Sequence, residues 1–411
     1  TRYKAKKYIT KNIEEELHFA TPTPIQMQAI PALLERNEIL ACAPTGSGKT
    51  AAFAIPMLMA LKNPSKGNHR ALVISPTREL AMQTYQQIKR LSKDKAFRIC
   101  LLTKATTPLE TDSTVRRFDI IVSTPLRLVR LIQENSIQLD TIEYLVMDEA
   151  DQLFELGFLS QIDEIIAACS NTSILRCLFS ATMPPSVEEM AKTFLRNPAR
   201  IVIGTKNSAA STLKQRIIYC GQEEGKTLAL RQLIQEGINP PVIIFVQSKD
   251  RAMELYHELI YDNINADVIT SDRTKAQRDK TVKQFRLGTI WVLIATDLMA
   301  RGMDFRGVNL VINYDIPPSA TQYIHRIGRA GRAGRDGEAI SLYTTEDLNL
   351  LRSIVSVMRA SGMPLPAWMS SLPKPTKRDT KRTPKRKSIT YGAKAHTKSK
   401  QKKVAEKLEK D

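Results

Sequence analysis

Three carboxylates lie within four residues directly after an apolar run of the chain. The run Tyr144–Met147 has the pattern of a buried strand, and Asp148, Glu149 and Asp151 follow it at once. Burying unpaired carboxylates is costly, or it shifts their pKa until they become neutral. We therefore expect a cation beside the end of this strand.

Residues 43–50, APTGSGKT, have the composition of a phosphate-binding loop between a strand and a helix. Gly46 and Gly48 let successive backbone N–H groups point at phosphate oxygens, Lys49 can reach the terminal phosphates, and the Thr50 hydroxyl can ligate Mg²⁺. The alternative is a glycine-rich turn that only caps a helix. The strand and helix on either side favour the phosphate loop.

The phosphate loop supplies an explanation for the carboxylates about a hundred residues downstream. Of the two carboxylates of Asp148 and Glu149, one can hold Mg²⁺, directly or through water. The other can orient and deprotonate the attacking water. Taken alone, the acidic segment could equally be a solvated turn. Together the two segments predict a site for ATP and Mg²⁺.

A third segment, HRIGRAGRAGR at 325–335, places arginines at every third position. Positive charge near a γ-phosphate stabilises the charge that develops during phosphoryl transfer. The alternative is a basic loop that contacts RNA or solvent, and the spacing alone leaves both interpretations open.

Short apolar runs alternate with longer helical patterns, which is typical of a parallel sheet covered by helices. A polar stretch at 205–213 without periodicity interrupts the series, so we expect an α/β fold of two domains with a ligand cleft between them. The runs lie at 38–44, 71–76, 98–103, 118–125, 143–149, 175–182 and 200–204, and then at 215–220, 241–248, 266–271, 290–297, 308–315 and 338–344. A helix is predicted at 346–361.

Composition excludes several classes of protein. The 411 residues are 42% hydrophobic and 25% charged, with no apolar run near the roughly 18 residues of a membrane span and no apolar stretch of a secretory signal near the start. Five cysteines without a CxxC pair argue against a zinc site or a disulfide framework and favour a reducing compartment. Because the chain begins with Thr1, we interpret it as a piece of a longer protein.

The net charge of +19 indicates a polyanionic partner. Residues 374–411 contain 15 Lys or Arg and 4 Asp or Glu, with little to bury, so we expect a disordered basic tail that anchors RNA without sequence preference. A solubilising surface is the alternative for the tail. KRTPKRK at 381–387 matches the weak pattern of a nuclear signal.

With these residues in place, the chain resembles the DEAD-box RNA helicases over essentially all of residues 17–365. FATPTPIQ (19–26), PTREL (76–80), STPLR (123–127) and SAT (180–182) resemble motifs of the family's first domain, and IFVQS (244–248), AQRDKTVKQF (276–285) and TDLMARGMD (296–304) those of its second. The resemblance implies two tandem RecA-like parallel-sheet domains. The corresponding boundaries are 1–204, a linker at 205–213, 214–365 and a tail at 366–411.

The resemblance also implies roles for individual residues. Gln26 would bond the adenine edge and Asp304 would approach the ribose, whereas the family's adenine-stacking aromatic cannot be identified. The ATP-binding set is Phe19, Thr21, Gln26, Ala43, Pro44, Thr45, Gly46, Ser47, Gly48, Lys49, Thr50, Gly302, Asp304, Arg329 and Arg332. The catalytic set is Lys49, Asp148, Glu149, Arg329 and Arg332, with Thr50 and Asp148 for Mg²⁺. The set that couples hydrolysis to RNA separation is Asp151, Ser180, Ala181, Thr182, His325 and Arg326. The RNA set is Pro76, Thr77, Arg78, Glu79, Thr124, Pro125, Arg127, Gln247, Ser248, Arg278, Thr296 and Asp297.

The chain departs from the family pattern at Ala43, at 103–105, at Leu126 and at Ala330. The departures at 103–105 and at Leu126 lie in RNA-facing loops, and none of the last three departures removes a hydrolytic residue. Together with NPPVIIFVQS, GVNLVINYDIP and the Lys-rich tail, they are similar to the nucleolar branch that serves assembly of the small ribosomal subunit. That branch implies a monomer in the nucleus and nucleolus, with pre-rRNA or snoRNA-containing duplexes and pre-ribosomal assembly proteins as partners and no membrane.

The leading interpretation is an ATP-dependent RNA helicase, an RNA-stimulated ATPase that cleaves the β–γ phosphoanhydride and separates short duplexes locally. An alternative of another class is an ATP-gated RNA clamp or assembly scaffold with little unwinding. A DNA motor is disfavoured because the three motifs DEAD, SAT and IGRAGR together resemble the RNA-specific family.

Overall fold

The computed structural model describes residues 5–65, 69–103, 118–205, 208, 212–270, 272–297, 307–331, 336–370, 386, 388 and 389. The chain divides into two compact units between residues 207 and 208, within the stretch predicted as a linker. Each unit is built on one sheet, and the two are described separately.

The first unit contains seven parallel strands in the order β3-β4-β2-β5-β6-β1-β7. All seven runs predicted for the first half of the chain are strands. Their bounds are Ile39–Cys42 (β1), Ala71–Ile74 (β2), Ile99–Leu101 (β3), Ile120–Ser123 (β4), Tyr144–Met147 (β5), Leu175–Ser180 (β6) and Ala199–Val202 (β7).

Helices connect these strands and cover the sheet. They are Lys7–Lys11 (α1), continued by a π-helical turn at Asn12–Glu16, then Pro24–Leu34 (α2), Lys49–Leu61 (α3), Arg78–Leu91 (α4), Pro125–Gln133 (α5), Ala150–Glu155 (α6), Leu159–Ala168 (α7) and Pro185–Phe194 (α8). Successive residues of β1 join different apolar clusters, Ile39 and Ala41 on one face and Leu40 and Cys42 on the other. Both faces of the sheet are therefore buried, as the continuous apolar runs predict.

The second unit has six parallel strands in the order β10-β11-β9-β12-β13-β8. The six runs predicted for this half are also strands: Leu213–Tyr219 (β8), Val242–Phe245 (β9), Ala266–Ile269 (β10), Val292–Ala295 (β11), Leu310–Asn313 (β12) and Gly337–Tyr343 (β13). Its helices are Glu223–Gly237 (α9), Lys249–Tyr261 (α10), Lys275–Arg286 (α11), Ala320–Ile327 (α12), Leu348–Ala360 (α13) and Ala367–Ser370 (α14), with a 3₁₀ turn at Thr345–Asp347. The prediction of two parallel-sheet α/β domains is confirmed.

The described residues of the predicted tail are placed as follows. Helix α14 lies inside the stretch assigned to the tail, and Arg386, Ser388 and Ile389 contact the second unit, with Ile389 buried among its apolar residues. Two side chains of a segment predicted to be disordered, those of Arg386 and Ile389, are thus buried. Among the described residues, no helix combines the length and apolarity that crossing a membrane requires.

Candidate functional site

The strand order of the first unit arranges the predicted motifs along one edge of the sheet. Because its strands are parallel, the loops that follow them emerge at the same edge. The phosphate loop follows β1, the SAT segment follows β6 and the DEAD segment follows β5, and these strands are consecutive in the sheet. The segments PTREL and STPLR follow the next two strands, β2 and β4. Predicted ATP and RNA motifs therefore form one continuous row, with DEAD and SAT at its centre.

The phosphate loop turns sharply into α3. Gly46 and Gly48 have φ angles of 77° and 92°, a left-handed conformation that residues with a Cβ rarely adopt. A Cβ on Gly48 would lie 2.5 Å from Gln26 Nε2, so a side chain here would also have to displace the Gln26 amide. The buried Gln26 amide donates to the Gly48 carbonyl oxygen at 3.2 Å and its own oxygen accepts from the Thr23 N–H at 3.0 Å. Gln26 thus connects its own segment to the phosphate loop.

Lys49 is folded back across the loop that precedes it. Its ammonium group donates to the carbonyl oxygens of Ala43 at 2.6 Å and Pro44 at 3.0 Å, and the residue is 8% exposed. Burial lowers the pKa of Lys49, and the carboxylates of Glu149 and Asp148 oppose that shift. The lysine and the acidic segment are therefore close enough to interact electrostatically, as their proposed roles require.

The acidic segment bends at the end of β5. Asp148 is 2% exposed, and its Oδ1 accepts the Glu149 backbone N–H at 3.0 Å. Glu149 adopts a left-handed conformation with φ 50° at the start of α6, and its side chain accepts a hydrogen bond from Gln152. Burial, reinforced by the neighbouring Glu149 carboxylate, raises the pKa of Asp148 to about 7. Lys49 is one cation close to these carboxylates, and the Mg²⁺ expected beside them stays a prediction.

The donor set fits a magnesium ion held mainly by phosphates. Within the described ranges no group of three or more His, Cys, Asp or Glu side chains is positioned to hold a metal. Mg²⁺ usually keeps several waters and binds through one or two carboxylates plus substrate phosphates, so an all-protein cage is not needed. The buried Asp148 carboxylate and the Thr50 hydroxyl at the start of α3 are suitable ligands. In the loop itself, the buried Ser47 hydroxyl has no hydrogen-bond partner among the described residues.

The residues predicted to couple hydrolysis to RNA separation form a buried network in the first unit. Asp151 Oδ2 accepts hydrogen bonds from the Thr182 N–H and hydroxyl, and the Ser180 hydroxyl accepts the Asp151 N–H at 3.3 Å. The Ser180 hydroxyl in turn donates to the Thr182 carbonyl oxygen at 2.7 Å. Ala181 is 5% exposed between them. The end of β6 is thereby joined to the first turn of α6.

Phe19 and Thr21, which were also predicted to bind ATP, are less buried than Gln26. Phe19 is half-buried and packs against the apolar cluster that includes Ile25 and Phe53, while Thr21 is exposed. Since both polar groups of the Gln26 amide already bond the protein, an adenine contact by this residue stays a prediction.

Predicted RNA residues of the first unit lie at two helix N-termini. Thr77 caps α4, where its hydroxyl accepts the Leu80 N–H at 3.3 Å, and Thr124 and Pro125 begin α5. Arg78 and Leu126 are exposed beside them, with Leu126 59% exposed. Pro76 is buried, and Glu79 and Arg127 are half-buried. Backbone N–H groups at helix N-termini are suited to phosphate.

In the second unit, the structure pairs two residues that were predicted for different roles. The guanidinium of Arg326 donates to both oxygens of Asp297, at 2.5 and 2.7 Å. It also donates to the Asp315 carbonyl oxygen at 2.6 Å and lies over the Phe245 ring at 5.2 Å. Arg326 is 3% exposed, so it ties the ends of β9, β11 and β12 together. His325 beside it on α12 is 4% exposed.

Other predicted residues of the second unit follow neighbouring strands. Gln247 and Ser248 follow β9, where the Ser248 hydroxyl caps α10 by accepting the Arg251 N–H at 3.3 Å, and Thr296 follows β11. Arg278 lies on α11, which follows β10. Arg329, the predicted γ-phosphate arginine, is 4% exposed just beyond α12. Gly302, Asp304 and Arg332 lie outside the described residues.

One charged cluster of the second unit was missed by the sequence interpretation. Asp315 lies two residues after β12, and it is fully buried among Lys226, Arg251 and Arg386. The available signal was an acidic residue at the end of the predicted run 308–315.

Comparison with known proteins identifies the family. Residues 23–190 match the family model described as DEAD/DEAH box helicase, and residues 225–334 match the helicase conserved C-terminal domain. The described residues of the first match lie in the first unit, and those of the second match lie in the second unit. With the relatives described next, these matches show that the chain belongs to the DEAD-box helicase family.

Two curated relatives and one solved structure are similar over most of the chain. A probable ATP-dependent RNA helicase ddx52 of Dictyostelium discoideum is 54% identical over 90% of this chain and 56% of its own length. DEAD-box ATP-dependent RNA helicase 57 of Arabidopsis thaliana is 53% identical over 96% of this chain and 72% of its own length. The structure of S. cerevisiae Dbp5 bound to RNA and ADP BeF₃ matches with a TM-score of 0.77, 30% identity and coverage of 88% and 92% of the two chains. The chain therefore spans a little over half of the first relative.

Proposed function

We propose that the chain is an RNA-stimulated ATPase that separates short RNA duplexes locally, an ATP-dependent RNA helicase. The observation that carries the proposal is the row of motifs along the first sheet. The nucleotide segments after β1, β5 and β6 adjoin the predicted RNA segments after β2 and β4, and the Asp151–Thr182 hydrogen bonds lie at the centre of the row. Relatives named as ATP-dependent RNA helicases and a similar structure that contains RNA support the same function.

The residues of the first unit account for hydrolysis of ATP. Backbone N–H groups of the phosphate loop and the Lys49 ammonium bind the phosphates, and Thr50 and Asp148 would hold Mg²⁺, partly through water. When bound, the ion neutralises charge on the β- and γ-phosphates. Glu149 orients a water molecule and takes its proton as the water oxygen bonds to the γ-phosphorus. The bond from that phosphorus to the β-phosphate oxygen breaks, which leaves ADP and inorganic phosphate.

The second unit contributes positive charge. Arg329 and Arg332 are proposed to stabilise the charge on the γ-phosphoryl group, an effect that in arginine fingers is worth on the order of 10³ or more in rate. We propose that His325 and Arg326 link to the DEAD segment. For RNA, exposed Arg78 and the helix N-termini at Thr77 and Thr124 suit backbone phosphates, which carry no base information.

We further propose a role in assembly of the small ribosomal subunit. It is supported by the similarity of the second-half segments and the Lys-rich tail to the nucleolar branch of the family. Pre-rRNA or snoRNA-containing duplexes would then be the substrates, pre-ribosomal proteins the partners, and a monomer in the nucleolus the working form. Crosslinking of the tagged chain to RNA in cells tests this, because enrichment of messenger RNA over pre-rRNA would contradict it.

The activity is tested by steady-state ATP hydrolysis with and without single-stranded and duplex RNA. We expect strong stimulation by RNA in the wild type and its loss in Glu149→Gln and Arg329→Ala. Glu189→Gln is the matched control, since Glu189 is exposed on α8 and the same charge is removed. Little hydrolysis with RNA present, together with nucleotide-dependent RNA binding, would contradict the helicase and favour the clamp. Stimulation by DNA in preference to RNA would contradict both.

A further inference from the structure

Three carboxylates from separate elements of the second unit converge on one buried place, here called the acidic socket. Glu223 begins α9, Asp315 follows β12 and Asp347 ends the 3₁₀ turn before α13. Asp315 and Asp347 are fully buried, and the Glu223 side chain is 12% exposed. Three buried negative charges require cations close by.

Two cations of the same unit neutralise part of the socket. Lys226 lies 3.2 Å from both Glu223 and Asp315 and 3.9 Å from Asp347. Arg251 pairs with Asp315 at 2.8 Å and also with Glu223. Against three carboxylates, these two cations leave one negative charge unbalanced.

The third cation comes from the tail. Arg386 lies 2.6 Å from Asp347, 3.2 Å from Asp315 and 3.4 Å from Glu223, and its side chain is 2% exposed. Its guanidinium reaches both oxygens of Asp347, at 2.6 and 3.3 Å, the forked geometry in which arginine binds carboxylates best. Burial lowers the pKa of Arg386, but the three carboxylates more than compensate and raise it overall. Among the residues that the structure describes, this arginine brings the cations of the socket to three, equal to its carboxylates.

The residues after Arg386 extend the contact. The Ile389 backbone N–H donates to Glu254 Oε2 at 2.8 Å, and the Ser388 hydroxyl donates to Glu254 Oε1 at 2.6 Å. Ile389 itself is 5% exposed and belongs to the apolar cluster that includes Val246 and Leu255. A charged group, two hydrogen bonds and an apolar side chain thus engage the unit within four residues.

The socket touches a residue predicted to contact RNA. The Gln247 side-chain oxygen accepts a hydrogen bond from Arg386 at 3.1 Å, and the Gln247 backbone N–H donates to Asp315 at 2.9 Å. Gln247 is itself exposed, so the part of its side chain that is not bound by Arg386 faces solvent. Arg386 therefore orients a side chain at the end of β9 that is free to meet a ligand.

We propose that Arg386, Ser388 and Ile389 form an intramolecular ligand of the second unit, docked by Arg386 in the acidic socket and by Ile389 in the adjoining apolar site. The docked segment fixes the basic tail beside Gln247, and Arg386 acts as a positioning residue for RNA contact there. The docking rests on the geometry alone, whereas the consequence for RNA rests on the proposed function.

Hydrogen exchange of the full chain, followed by mass spectrometry over residues 386–389, tests the docking. We expect Arg386→Ala to speed exchange there by about a hundredfold, and Arg386→Lys to do so less because it keeps the charge without the fork. Glu254→Ala leaves the socket intact and is expected to speed exchange at Ile389 as well. Arg382→Ala, which removes the same charge from the same tail outside the described residues, is the control. Exchange that is equally fast in the wild type and in Arg386→Ala would overturn the docking.

The consequence for RNA is read from ATP hydrolysis titrated with RNA. We expect Arg386→Ala to raise the RNA concentration for half-maximal stimulation by about three- to tenfold, with the rate at saturating RNA unchanged and partial recovery in Arg386→Lys. An equal effect of Arg382→Ala would overturn the positioning role, because any tail charge would then suffice. If the wild type shows no RNA stimulation, the proposed function fails while the exchange result still decides the docking.

Discussion

Asp151 and Thr182 are joined by two hydrogen bonds to a single carboxylate oxygen. The Thr182 N–H donates at 2.9 Å and the Thr182 hydroxyl at 2.6 Å, and both residues are almost completely buried. The pair connects α6, which carries the DEAD carboxylates at its start, to the segment that follows β6. We therefore propose that a movement of the acidic segment on hydrolysis is passed to the end of β6 through this pair.

Removal of the Thr182 hydroxyl tests this connection. Thr182→Val keeps the shape and the N–H bond but leaves a buried carboxylate one hydrogen bond short, which costs about 1–3 kcal/mol of unfolding free energy. We expect ATP hydrolysis to persist within a few-fold while duplex separation falls by about tenfold or more. Parallel assays of both activities and urea unfolding measure the effects.

Thr193→Val is the control, since the Thr193 hydroxyl donates only to the Met190 carbonyl oxygen within α8. Equal losses of hydrolysis and separation in Thr182→Val would contradict a coupling role.

Gly48 should tolerate no side chain. Gly48→Ala places a Cβ 2.5 Å from Gln26 Nε2 at a φ of 92°, so it combines a clash with backbone strain. We expect weaker binding of a fluorescent ATP analogue by about tenfold or more and a loss of about 1–3 kcal/mol of unfolding free energy.

Gly157→Ala separates the two causes of that loss. Gly157 has a φ of 76° with no atom within 4 Å of the added Cβ, so it should lose stability through strain alone and keep ATP affinity. If both alanine variants bind the analogue like the wild type, the contact between Gly48 and Gln26 does not shape the nucleotide site.

Arg326 should be a main stabilising residue of the second unit. Arg326→Gln leaves Asp297 and the Asp315 carbonyl oxygen without their donor in a buried place, and loss of one partner of a buried pair costs about 3–5 kcal/mol. Thermal and urea unfolding of the full chain measure the change.

The exposed pair of Arg216 and Glu338 at 3.3 Å provides the comparison. Arg216→Gln should cost at most about 1 kcal/mol, because exposed pairs contribute little. A similar loss of unfolding free energy in Arg326→Gln and Arg216→Gln would contradict a large stabilising contribution from the buried contacts of Arg326.

The acidic socket predicts how stability depends on pH. Burial alone would raise the pKa of Asp315, but Lys226, Arg386 and Arg251 outweigh it and hold the pKa below its ordinary value. A carboxylate with a lowered pKa in the folded state stabilises fully above its unfolded pKa of about 3.9, and that contribution is lost as pH falls below this value.

We therefore expect the unfolding free energy to decline as pH falls below about 4, with a shallower decline in Asp315→Asn. The variant should also be less stable at neutral pH, because its cations lose a partner. Urea unfolding between neutral and acidic pH measures both effects. Parallel pH profiles for the two proteins would show that Asp315 does not contribute to the acid dependence.

The sequence by itself determined the strands and the nucleotide motifs. All thirteen apolar runs are strands, because β-branched runs of that length are buried on both faces of a parallel sheet and few other structures accommodate them. Gly46 and Gly48 were recognisable because their chemistry depends on neighbours only a few residues away. The acidic residues after β5 could be interpreted only together with that phosphate loop, about a hundred residues upstream. Where the spacing of residues alone did not indicate a function, the family resemblance supplied the predicted role.

Only the tertiary structure decided which charges meet. Arg326 was predicted to couple and Asp297 to bind RNA, yet they form one ion pair across 29 residues of sequence. Arg386 was counted as one charge of a disordered tail, yet it is buried against Glu223, Asp315 and Asp347. Local patterns fix secondary structure through backbone sterics and periodic burial, whereas long-range ion pairs depend on which strand ends the fold brings together. Composition could show that the tail is basic, and the fold alone provides the carboxylates that it contacts.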